Sequence, residues 1–194
     1  AFGHSDADEH VTGASIGWGA CIATHLFSAM HSIHHREPGP VPVLLTDDRV
    51  MCELICDGIH HRPVIARMAI DAAGTDRICL VTDAMSATGQ GDGRYLLGEL
   101  EVEVRDGTAR LVTADGTPGS IAGSTLTMAR AFGFVVGRVG LSIPEAARIA
   151  ATTPARWHGL KEVGTLEAGK RADICVVDDA GELQQVWRRG ERIR

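Results

Sequence analysis

The chain has 194 residues, 44% of them hydrophobic and 23% charged, which provides apolar material for a sizeable core and shows no sign of disorder. A formal net charge of -6 argues against a broad basic face for nucleic acid or an anionic membrane, so an anionic small substrate would need locally placed cations. No apolar run approaches the roughly 20 residues of a membrane-spanning helix, and the first residues lack the regions of a signal peptide, so a cytoplasmic location is expected.

Along the chain, short apolar runs rich in β-formers end in a polar residue and are followed by helix signals, the rhythm of a βα-repeat protein with a parallel sheet. Ala1 to Gly3 ends in His4, opening without a methionine on what reads as the end of a strand. Residues 6–20 have helix-like composition, weakened by Gly13 and Gly17. Cys21 to Thr24 runs into His25. Val50 to Cys56 precedes Asp57-Gly58-Ile59-His60, after which Pro63 opens a helix that Gly74 closes. Ile78 to Thr82 delivers Asp83. Leu96 to Val104 and Thr108 to Val112 then flank Asp106-Gly107, a hairpin signal. A helix follows over about 126–137, and Ser142 with Glu145 forms a capping box for another that runs to about Thr152, with Pro144 in its first turn. Past a boundary near Leu160, Ile174 to Val177 and Leu183 to Arg188 predict a small antiparallel unit. The five cysteines, Cys21, Cys52, Cys56, Cys79 and Cys175, lie in apolar runs without a C-x-x-C pair and read as buried thiols.

His4, His25, His60 and Asp83 therefore stand at the ends of consecutive apolar runs, where a (β/α)8 barrel places its chemistry. Only about four barrel-type strands are found, whereas closure takes eight and typically ~250 residues, so the expected fold is α/β, about half of a barrel. Two histidines one strand apart suit a metal ion, but two ligands are too few alone, and without further context each reads first as an ordinary hydrogen-bonded strand-end histidine. Asp83 reads as a proton acceptor for an attacking water, or else as a helix N-cap. Arg36, in the proline-stiffened loop His35-Arg36-Glu37-Pro38-Gly39, and His60 suit an anionic group, with a plain surface charge the alternative for Arg36. His31, His34 and His35 resemble a metal tract but fall in a loop, where the alternative is that they are merely solvated. Ser124 and Thr125 fit a cradle for an anion at a helix start, or an ordinary N-cap.

Taken in order, Gly3-His4-Ser5-Asp6-Ala7, Ala23-Thr24-His25-Leu26-Phe27-Ser28-Ala29-Met30, the Arg36 loop, Asp57-Gly58-Ile59-His60, Val81-Thr82-Asp83-Ala84 and Gly123-Ser124-Thr125-Leu126-Thr127-Met128 resemble the N-acetylglucosamine-6-phosphate deacetylase family of the amidohydrolases. The tail from Gly164 to Ile174 is similar to the G-x-L-x-x-G-x-x-A-D segment widespread in that superfamily. The resemblance implies His4 and His25 as metal ligands for one divalent ion, Zn2+ or Fe2+, and Asp83 as the catalytic aspartate. It implies substrate contacts from Ser28, Ala29, Arg36, His60, Ser124 and Leu126, and a homodimer in which Arg36 reaches the neighbouring subunit's site. It also implies residues 1–159 as the second half of the barrel, with a hairpin insertion at about 96–112, and 160–194 as strands of a small β-sandwich. Ser28 stands where the family usually has Asn, and the family's glutamate ligand and carbonyl-polarising histidine lie upstream of His4. The galactosamine epimer of the substrate would use nearly the same motifs. A non-catalytic fragment that self-associates to cover its sheet edges is the reading from another class. A dihydroorotase-like enzyme fits the Arg36 loop and the His60 turn poorly.

Overall fold

Parallel pairing organises the first part of the computed structural model, which describes residues 1–194. Strands β1 (Ile22–Ala23), β2 (Met51–Ile55) and β3 (Ile78–Val81) lie side by side in that order, with Ile22 opposite Met51 and Cys52 opposite Ile78. The run before His4 contributes less than a strand: Phe2 makes a single parallel bridge to Ala23. In β2 every residue but Glu53 is buried, as expected of a parallel strand covered on both faces.

Helix α1 (Glu9–Gly17) is shorter than its composition suggests, because the Asp8 carboxylate accepts the Val11 N–H and fixes the start there. Helix α2 (Val41–Thr46) has no counterpart in the sequence reading. The buried Arg77 guanidinium donates to the carbonyls of Leu45, Asp47 and Val50, satisfying backbone groups at and beyond its C-terminus. Helix α3 (Pro63–Ala73) forms over the expected residues and buries Ala66, Ala69, Ile70 and Ala73, a stripe at helical spacing. These elements share a main core of 25 buried residues.

The predicted hairpin is the middle of a larger antiparallel meander, β4 (Gly93–Leu97), β5 (Leu100–Arg105), β6 (Thr108–Val112) and β7 (Pro118–Ile121). The run expected as one strand from Leu96 to Val104 breaks because Gly98, at φ 62, turns the chain so that Leu97 pairs with Leu100. At Asp106-Gly107 both residues have positive φ, 50 and 71, the turn that matches strand twist. The Asp92 carboxylate accepts both of their N–H groups, at 2.8 and 3.1 Å. Met85, Ala87, Val102, Val104, Ala109 and Ala122 form a second, separate core beneath this meander.

Helix α4 (Met128–Phe134) is capped by Thr127, which accepts the Arg130 N–H, and not by Ser124 or Thr125. It continues through a π-helical turn to Val139. The Ser142–Glu145 capping box forms and opens α5 (Ile143–Ala147); a π-helical turn and α6 (Thr153–Trp157) carry the run past Thr152. Strands β8 (Ile174–Val177), β9 (Leu183–Arg188) and β10 (Glu191–Arg192) make an antiparallel sheet in the order β10-β9-β8. Cys52, Cys56 and Cys79 are buried as expected, but Cys21 and Cys175 are exposed. Cys21 precedes β1, and on β8 both Cys175 and its neighbour Val176 lie uncovered.

Candidate functional site

Three of the predicted residues stand just past a parallel strand or bridge in the left-handed region: His4 at φ 46, His25 at φ 32 and Asp83 at φ 49. Phe27, at φ 75, and Ala29, at φ 52, extend the same feature through the turn after β1. Each such residue costs on the order of 1–3 kcal/mol and persists only where its surroundings enforce it. The two remaining cases, Asp106 and Arg189, each precede a glycine in a hairpin turn, so the unexplained strain is concentrated at the sheet's C-terminal edge.

The imidazoles of His4 and His25 meet edge to face, with centroids 4.8 Å apart and planes at 67°. Close approach here depends on Gly3, where a Cβ would collide with the Thr24 methyl group. Thr24 in turn donates to Glu53 at 2.8 Å, tying the strand end before His25 to β2. His25 Nδ1 is buried and has no hydrogen-bond partner. Such an orphan costs about 1–3 kcal/mol unless something occupies it. An unsatisfied imidazole nitrogen beside a second imidazole is a donor set suited to a first-row divalent ion, so the residues present fit a metal. No group of three or more His, Cys, Asp or Glu side chains gathers within the chain, which leaves this pair short of the usual three ligands.

Asp83 is exposed, and no helix follows it, so it caps nothing. Its main chain is held by Ser124 on the far side of the meander. Ser124 N–H donates to the Asp83 carbonyl at 2.7 Å, Met85 N–H donates to the Ser124 carbonyl at 2.9 Å, and the Ser124 hydroxyl donates to the Thr82 carbonyl. The same hydroxyl accepts the Leu126 N–H at 3.0 Å, and the Leu126 side chain belongs to the main core. Ser124 and Leu126 thus turn their side chains inward.

His60, Ser124, Thr125, Leu126 and Arg130 border one cleft with Asp57. His60 Nδ1 lies 2.7 Å from Asp57 Oδ2, and both side chains are nearly enclosed, 8% and 5% exposed. Asp57 Oδ1 accepts the N–H groups of Ile59 and His60, each at 2.8 Å. Burial pushes the Asp57 carboxyl up, but the hydrogen bonds from His60 and Ile59 outweigh it and hold the pKa below its ordinary value. His61, buried alongside, spans the carbonyls of Ile55 at 2.9 Å and Leu26 at 3.0 Å, joining the end of β2 to the turn after His25.

His4 and Ala29 border a different, open cleft, and Ser28 N–H closes the turn onto the His25 carbonyl at 2.9 Å. Arg36 is exposed, its guanidinium 2.7 Å from His35 Nε2, and no hydrogen bond links it to His4, His25, His60, Asp83, Ser124 or Leu126. His34 and His35 stack on each other, centroids 4.4 Å apart, in the same exposed loop. The structure therefore gathers His4 with His25 and His60 with Ser124 and Leu126, and leaves Arg36 apart. The sequence reading missed Asp57 as the partner of His60, although an Asp and His three residues apart around a glycine turn are within reach of each other. It also missed Glu53, whose signal was a lone carboxylate inside an apolar strand.

A parallel sheet carrying paired histidines and an aspartate at its C-terminal edge defines an α/β protein with polar candidate residues gathered past its strand ends. The amidohydrolase family model matches residues 1–193, and the chain belongs to that family. It is 40% identical to an N-acetylgalactosamine-6-phosphate deacetylase of Escherichia coli O157:H7, over 97% of the chain and 49% of that protein. It is 35% identical to the N-acetylglucosamine-6-phosphate deacetylase of Vibrio furnissii, over 98% of the chain and 47% of that protein. A solved Mycobacterium smegmatis N-acetyl-D-glucosamine-6-phosphate deacetylase variant, in complex with N-acetyl-D-glucosamine-6-phosphate, superimposes with a TM-score of 0.90 at 43% identity. That match covers 98% of the chain and 50% of the solved one, so the chain spans about half the length of these relatives.

Proposed function

We propose that this chain carries the base and two metal ligands of a deacetylase that hydrolyses the acetamide of N-acetylglucosamine 6-phosphate to glucosamine 6-phosphate and acetate. The observation that carries the reading is the strained edge of the sheet, where His25 Nδ1 lies orphaned beside His4 and Asp83 stands uncapped past β3. The substrate follows from the similarity to the mycobacterial enzyme solved with that sugar phosphate.

In this reading β1 to β3, with the Phe2 bridge, are second-half strands of a (β/α)8 barrel, and 160–194 belong to a small β-sandwich. His4 and His25 would hold one divalent ion, Zn2+ or Fe2+, which supplies Lewis acidity toward water and the acetamide carbonyl. Asp83 takes a proton from the attacking water and returns it to the amine nitrogen as the C–N bond breaks. Its exposed carboxylate is free for this because Ser124 grips only the main chain. His60 and the main chain around Ser28-Ala29 and Ser124 to Leu126 hold the sugar phosphate. Arg36, standing in solvent, reaches a second subunit's site in a cytoplasmic homodimer.

Two measurements test this. Acetate release from N-acetylglucosamine 6-phosphate, with the galactosamine epimer alongside, is followed in the native polypeptide that carries this sequence. Asp83→Asn is expected to lower the rate by about 10²–10⁴-fold; an undiminished rate removes Asp83 from the mechanism. Titrating the chain with Co2+ and recording its visible spectrum is expected to show binding that His25→Ala and His4→Ala each abolish. Unchanged spectra in both variants would refute the ligand assignment.

A further inference from the structure

We propose that Asp57 is a positioning residue that locks the His60 ring with its Nδ1–H turned into the loop and Nε2 presented to the substrate phosphate. The inference rests on the reading of His60 as a phosphate contact and adds what sets the ring's chemistry. Asp57 Oδ2 is 2.7 Å from His60 Nδ1, and an ionised carboxylate only accepts, so the proton between them belongs to Nδ1. The carboxylate is itself immobilised, since its other oxygen takes the Ile59 and His60 N–H groups. The turn that permits this passes through Gly58 at φ 81, where a Cβ would meet Phe134 at 3.0 Å. His60 Nε2 makes no hydrogen bond within the chain, and the ring borders the cleft shared with Ser124 and Arg130.

A chemical consequence follows. With Nδ1–H committed to Asp57, Nε2 donates to a phosphate oxygen when the ring carries both protons, and the Asp57 carboxylate then stands behind the imidazolium as its hydrogen-bond partner. The contact to phosphate is then charge-assisted, which makes it roughly twice as strong as a neutral hydrogen bond. In Asp57→Asn the carbonyl oxygen keeps the two backbone N–H groups and the amide NH2 faces Nδ1. That arrangement drives the ring proton to Nε2, a tautomer exchange of the kind known for an Asp-to-Asn change behind a catalytic histidine.

Nitrogen-15 spectra of the histidine rings test the assignment in the intact chain. The neutral wild-type ring is expected to carry its proton on Nδ1, and Asp57→Asn to move it to Nε2 with the circular dichroism spectrum unchanged. Binding of N-acetylglucosamine 6-phosphate is expected to weaken roughly tenfold in Asp57→Asn, the loss of a charge-assisted contact. Added to His60→Gln, Asp57→Asn is expected to cause no further loss, because it acts through the ring. An unchanged tautomer in Asp57→Asn, or a full additional loss in the double variant, would overturn the positioning role. If the tautomer moves while wild type binds N-acetylglucosamine as tightly as its 6-phosphate, the positioning stands and the phosphate reading of the preceding section falls.

Discussion

At the scale of single residues, side-chain chemistry separates groups that look alike in the sequence. Burial pushes the thiols of Cys52, Cys56 and Cys79 up to about 12, so at pH 8 they remain protonated and shielded. A thiol-reactive chromophore is expected to label two cysteines, Cys21 and Cys175, in the folded chain and all five after unfolding. The Asp57 carboxyl has a pKa below its ordinary 3.8 in the fold, so its stabilising contribution is present above that value and is lost as acid protonates it. The melting temperature is accordingly expected to fall below about pH 4, less steeply in Asp57→Asn. Ser124→Ala removes the hydroxyl that joins Thr82 to Leu126 and is expected to cost about 1–3 kcal/mol, read as a drop of several degrees in thermal melting. The positions of His4, His25 and Asp83 were legible because each follows an apolar run that a strand must end. The orphaned Nδ1 and the Asp57–His60 pair were not, because they depend on ring orientation and on contacts between turns.

At the scale of elements, the helices with chemical punctuation were legible and those without it were not. Pro63 and Gly74 bracket α3, and the Ser142–Glu145 box opens α5, because each supplies a local backbone constraint. Helix α2 escaped notice since the carbonyls at and just beyond its C-terminus are satisfied by Arg77, some thirty residues away in sequence. The meander was half seen: Asp106-Gly107 announces its central turn, but Gly98-Glu99 sits inside an apolar run and reads as strand. Its core is tied to the site, for Met85 and Ala122 lie within two residues of Asp83 and Ser124 and pack on Val102 and Val104. Met85→Ala is therefore expected to cost about 2–5 kcal/mol and to loosen the Asp83 turn together with the meander. Hydrogen exchange should show faster exchange at Ser124 N–H and in β5 and β6, with β2 unchanged.

At the scale of the whole molecule, stability is unevenly distributed. All 25 members of the main core lie before residue 150, and beyond Leu160 only Gly181 is buried, fitted against Val136 and Phe132. The sheet of β8 to β10 is held mainly by its own backbone hydrogen bonds. Limited proteolysis is expected to cut first between 160 and 173 and to leave a resistant product ending near Leu160; first cuts within β2 or β3 would contradict this distribution. The parallel bridge between Ala84 and Ser124 has a final consequence for the whole chain. It brings the two ends of a forty-residue excursion together, so the rest of the protein meets the meander as a loop already closed. Lengthening a closed loop is entropically mild, only about 0.6 kcal/mol per doubling. The exposed tip at Gly98-Glu99 is thus a natural port for grafting a reporter domain or new chain termini, with the edge that bears His4, His25 and Asp83 left undisturbed.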